Sequence, residues 1–199
     1  MNGAARGHLY ESPEDLAARY PLEVGDVVLT AGNSWLGRAI RWAERTRGEA
    51  PTRINHAAIC VAAPDVIVEA DKVVRRGSVW DYHYEDDVVV WRPTNLTDVE
   101  RLTLAAVAVS RIGEKYPARQ LLAYLVDNKV LNGRNVVRRW IGNEAGGVCS
   151  RLVARCFKQI RRDFGVPEYA ASPDAMDDFA LANPDKYTCP WTRAGIKRS

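Results

Sequence analysis

The apolar residues of this chain change their period near Pro93, and that switch restricts the fold more than any other feature. Ahead of it lie short runs rich in β-branched residues, at 25–30, 54–61, 66–70 and 88–93, with 72–80 continuing in extended form. Such runs, bounded by glycine, proline and aspartate, are expected to be strands. Beyond the switch, Thr97-Asp98-Val99-Glu100 has the capping-box form, and Leu102, Ala106 and Val109 follow at helical spacing. A second helix is expected from Pro117 to about Leu131, carrying Leu121, Leu122, Leu125 and Val126 and closed by Gly133. A third runs through Leu152, Val153, Cys156, Phe157 and Ile160, and Ser172-Pro173-Asp174 caps a short last one. Two helices interrupt the first half, one opening at Ser12-Pro13-Glu14-Asp15 and one over 34–47. Strands gathered first with helices around them predict an α+β fold. The last residues, with Pro184, Pro190 and a basic end, are expected to wrap the surface.

At 199 residues, 47% hydrophobic and 27% charged, the chain fits one globular domain. A net charge of +3 makes no strong case for nucleic acid. Arginines cluster at Arg134, Arg138 and Arg139 and at Arg151, Arg155, Arg161 and Arg162, where solvated helix faces are the plainer expectation. The four cysteines show no CxxC spacing and no zinc-like pairing with histidine, so a reducing compartment and no metal are expected. Cys60 and Cys156 fall inside apolar patterns and read as core. No apolar run reaches the roughly 18 residues of a membrane span, and residues 1–11 lack a signal-peptide core. The expected setting is cytoplasmic, or wherever another machinery delivers the chain.

Gly146-Gly147-Val148-Cys149-Ser150-Arg151 leads straight into the third helix. Cys149 thus opens an amphipathic helix, where the dipole and unpaired N–H groups favour a nucleophilic thiolate. The paired glycines would let a substrate approach the backbone. The plainer reading is a small buried residue capping a core helix. A catalytic thiol needs a base, and the chain has three histidines. His8 and His83 lie in polar stretches, whereas His56 enters an apolar strand on one face with Ala58 and Cys60. Glu69 is an acid in an apolar strand, costly unless paired or wet. A tight hairpin turning at Ala63-Pro64 puts Glu69 opposite Ala58 and one diagonal step from His56. That step is about 7–8 Å between backbones, within reach of the two side chains. Asp71, on the same face by parity, is the other acid that could serve.

Taken in order, Gly25-Asp26-Val27-Val28-Leu29, Asn55-His56-Ala57-Ala58-Ile59, Val68-Glu69-Ala70 and Val148-Cys149-Ser150-Arg151-Leu152-Val153 resemble a known group. It is the circularly permuted NlpC/P60 papain-like enzymes, the YiiX/YaeF-type amidases related to the lecithin retinol acyltransferase group. Residues 32–42, Ile112-Gly113-Glu114-Lys115-Tyr116 and Ser172-Pro173-Asp174 are similar to lesser segments of the same group. Ala57-Ala58 stands where the group usually has a small residue and glycine, and Pro117 where it has aspartate. The resemblance implies an antiparallel sheet packed against helices, with the cysteine at a helix N-terminus. It implies an extension over 1–22, a catalytic domain over 23–180 and a tail over 181–199, in a protein of bacterial or phage origin. By the same resemblance Cys149 is the nucleophile, His56 the base, Glu69 the orienting acid and Tyr116 a neighbour of the oxyanion. No cofactor is implied.

Three functions follow as expectations. The first is a cysteine hydrolase cutting a peptide-like or cell-wall amide. The second is an acyltransferase or lipid (ester) hydrolase on the same triad, with an apolar groove near Trp35, Trp42 and Trp80. The third is a structural or binding protein, for example of a phage particle or secretion assembly, docking through its arginines.

Overall fold

The computed structural model of the chain describes residues 20–31, 54–71, 73–82, 88–115, 148–168 and 170–192. Six strands among them form one antiparallel sheet: β1 (Val27–Thr30), β2 (His56–Ala62), β3 (Val66–Ala70), β4 (Val74–Ser78), β5 (Val88–Pro93) and β6 (Tyr187–Thr192). Their order is β4-β3-β2-β1-β5-β6. Three helices accompany the sheet: α1 (Asp98–Ser110), α2 (Val148–Gln159) and α3 (Pro173–Ala182). The class is α+β. The helices expected over 34–47 and 117–131 and the one opening at Ser12 lie outside the described residues, as do the Gly146-Gly147 pair, His8, His83 and Arg134, Arg138 and Arg139.

Both faces of the sheet are covered, which is why Val27-Val28-Leu29 and Val88-Val89-Val90-Trp91 are apolar without interruption. On one face Leu29, Ala57, Ile59, Val68 and Val89 pack against Leu104 and Ala108 of α1 and Leu152, Val153, Cys156 and Phe157 of α2. On the other, Val28, Ala58, Cys60, Ile67 and Val90 pack with Leu22, Val79 and Trp80. Burying one such side chain is worth about 1.5–3 kcal/mol.

The capping box at Thr97 and Glu100 forms as expected, with the Thr97 side chain accepting from the Glu100 N–H. Ser172 likewise caps α3 by accepting from Ala175 N–H, with Pro173 in the first turn. Leu152, Val153, Cys156 and Phe157 of the α2 stripe are buried as their spacing predicts, while Ile160, just past the helix, is half-buried. Three expectations are corrected. The face of α1 turned to the core carries Leu104 and Ala108, while Leu102, Ala106 and Val109 are exposed. This helix is apolar nearly all round, so spacing alone could not choose its face. The stretch 72–80 does not stay extended: after Ser78 it closes into a 3-10 turn, Val79–Tyr82. Lastly, residues 187–192 do not merely wrap the surface but pair with β5 as an edge strand. Pro190 is compatible with an edge, where a missing N–H breaks no internal ladder.

Candidate active site

The hairpin of β2 and β3 sets the geometry. Ala58 pairs with Glu69, Ile59 with Val68 and Cys60 with Ile67, the expected register. An irregularity between Cys60 and Ala62 is absorbed at the turn end and leaves the site end undisturbed. His56 and Glu69 therefore share a face diagonally, and His56 Nε2 lies 2.7 Å from Glu69 Oε2. Asp71, the other candidate acid, is exposed.

Glu69 is only 2% exposed, and its burial is offset by three donors. His56 and the Tyr82 hydroxyl both approach Oε2. Arg75, directly across the β3–β4 ladder, sets Nε and Nη2 each 2.9 Å from Oε1. Burial would raise the carboxyl pKa, but His56 and then Arg75 outweigh it, and the group is held below its ordinary value. Gly77 keeps this pocket open: a Cβ there would stand 3.2 Å from Asp81 Oδ2 and 3.5 Å from Glu69 Oε1.

Cys149 is the second residue of α2 and is buried. Its side chain hydrogen-bonds His56 at the start of β2. With Nε2 committed to Glu69, Nδ1 is the ring nitrogen left for the sulfur. Burial would lower the His56 pKa. The charge interaction and hydrogen bond with Cys149, then those with Glu69, overcome that and raise the imidazole to about 10. A hydrogen-bonded thiol, imidazole and carboxylate in series can act as nucleophile, base and orienter. A backbone N–H in the first turn of a helix, where Cys149 stands, is suited to meet an oxyanion.

The expected triad residues Cys149, His56 and Glu69 are thus brought together, while Tyr116 lies outside the described residues. Arg75 and Tyr82 were not foreseen. Arg75 was accessible in principle, because a second hairpin turning at residues 71–73 puts it opposite Glu69. Tyr82 carried no such signal, since the 3-10 turn that delivers it interrupts the strand pattern.

The remaining thiols are of a different kind. Cys60 and Cys156 are core residues, and burial pushes each up to about 12. Cys189 is exposed, and none of the four is in a disulfide. Trp80, expected beside a groove, is instead core, edge-on to Trp191 at 5.5 Å; Trp35 and Trp42 lie outside the described residues. The arginines of α2 and the turn after it also depart from expectation. Arg151, Arg155 and Lys158 converge on Glu168, and Arg162 binds Glu100 and the Thr94 and Asn95 carbonyls. Most of this cluster pins loops to the helix layer rather than forming a solvated face, and among the four arginines of the cluster only Arg161 is exposed.

Among the described residues no group of histidine, cysteine or acidic side chains is arranged to hold a metal ion, and no helix is long and apolar enough to cross a membrane. No protein-family model matches the chain, and no curated protein matches it.

Proposed function

We propose that the protein is a cysteine hydrolase of permuted papain-like type, attacking an amide carbonyl through Cys149, His56 and Glu69. One observation carries the reading: the thiol at the start of α2 bonds an imidazole whose far nitrogen is fixed by a buried carboxylate. His56 takes the Cys149 proton, and the sulfur adds to the carbonyl carbon. The resulting oxyanion is met by the Cys149 N–H. As the tetrahedral adduct collapses, the C–N bond breaks and His56 gives its proton to the departing amine, leaving a thioester. Water, deprotonated by His56, then adds to the thioester, releases the acid and restores the thiol. Glu69 holds the ring in one tautomer and supports the imidazolium throughout.

Limited alkylation with iodoacetamide near neutral pH, read by peptide mapping, tests the reading. Cys149 is expected to label far faster than Cys60 and Cys156 and ahead of the ordinary exposed thiol Cys189, and His56→Ala is expected to slow it. Equal, sluggish labelling of Cys149 and the two core thiols overturns the proposal.

A further inference from the structure

Glu69 serves more than His56, and its other two partners come from elements outside the Cys149–His56–Glu69 series. Tyr82 reaches Oε2 from the 3-10 turn, the same oxygen that His56 uses. Its ring also lies 5.7 Å from the imidazole, tilted by 43°. Arg75 reaches Oε1 from β4, and its side chain is 57% exposed. A carboxylate has a fixed charge to share, so charge drawn toward a guanidinium and a phenol is charge not drawn toward the imidazole. The groups facing His56 among the described residues are Cys149 from α2, Glu69 from β3 and Tyr82 from the turn. Thr30 of β1 pairs with it across the ladder without a charge, and Arg75 acts only through Glu69.

We propose that Arg75 and Tyr82 are positioning residues that divide the charge of Glu69 with His56, so the imidazole is oriented firmly yet still releases its proton to the leaving group. The inference rests on the catalytic reading above, in which His56 must both accept and return a proton. An orienting acid that acted on His56 alone would hold the imidazolium too tightly for the second task. Arg75 and Tyr82 relax that hold without loosening the ring, because both bonds also pin the carboxylate in place.

The test is an NMR titration of the His56 ring in a Cys149→Ala background, where neither thiolate nor turnover contributes. Tyr82→Phe and Arg75→Met are each expected to shift the midpoint upward by about half a pH unit or more. Arg75→Lys, which restores the charge, is expected to bring it back toward the parent. Glu69→Gln should move it the opposite way. Midpoints unchanged or lowered in both Tyr82→Phe and Arg75→Met overturn the proposal, whatever the labelling of Cys149 shows. Slow labelling of Cys149 in the unmodified chain sinks the catalytic reading instead, whatever the titration shows.

Discussion

Glu69→Gln is the perturbation that separates a working thiol–imidazole pair from a merely packed one. Glutamine keeps the volume of a side chain that is almost wholly enclosed, so no cavity opens. Its carbonyl oxygen can occupy the Oε2 position and accept from both His56 and Tyr82. Its NH2 then falls at the Oε1 position against Arg75, donor to donor, and Arg75, largely exposed, turns to water. What is lost at His56 is the charge on its acceptor. A hydrogen bond to a charged group contributes about 1.5–3 kcal/mol, against about 1 for a neutral one. At 1.36 kcal/mol per factor of ten, that difference of about 0.5–2 kcal/mol should cost the thiolate–imidazolium form roughly twofold, rising to about thirtyfold where the bond is strongest. The assay is the second-order rate of Cys149 alkylation across pH, with Cys189→Ser removing the exposed competitor. The variant should lag the parent by about that factor near neutral pH. The two curves should converge as pH rises past about 10, where the imidazolium of the parent is itself lost. Identical curves throughout would refute the role of Glu69. A deficit that persisted undiminished at the alkaline end would refute the electrostatic argument, since it would mean that the thiol had become hindered rather than less ionised.

Two further outcomes concern stability. Because the Glu69 carboxyl is held below its ordinary value in the folded state, its contribution is whole above pH 4.5 and drains as pH falls through the lowered value. Urea midpoints measured down the acid range should fall less steeply in Glu69→Gln than in the parent, and parallel slopes would contradict this. Phe157, fully buried between the sheet and Phe164, should cost about 3–5 kcal/mol when cut to alanine, read from equilibrium urea unfolding; a loss under 1 kcal/mol would mean that the helix layer repacks.

How far the sequence reached depended on whether local pattern or tertiary contact decides each element. The β2–β3 register was legible because one turn, a period of two and a single misplaced acid admit one consistent pairing. The direction of α2 was legible because its polar and apolar faces are distinct. The orientation of α1 was not: its residues are apolar on most sides, and the approach of Leu104 to Gly25 selects among them. A Cβ at Gly25, whose φ is +97°, would lie 2.7 Å from Leu96 Cδ1 and 3.2 Å from Leu104 Cδ1, so glycine there lets both leucines approach. The strand β6 was hidden by Pro190 and by a polar alternation that only pairing with β5 organises. At the site, the series from thiol to acid could be read from residue order, whereas the sharing of that acid could not. Arg75 and Tyr82 depend on a second hairpin turn and a 3-10 turn whose positions the apolar pattern does not mark.

The order of strands has a consequence for how the protein is made. The first strand lies beside β5, and β5 receives its outer neighbour only from residues 187–192, so the sheet joins early and late parts of the chain. Synthesis delivers His56 and Glu69 long before Cys149, and α2 can dock only on a sheet that already exists. During that interval the imidazole and its carboxylate have no thiol beside them. If Cys149 is the nucleophile proposed above, its chemistry is withheld until the chain has closed on itself, which spares the ribosome and its surroundings from a half-made hydrolase.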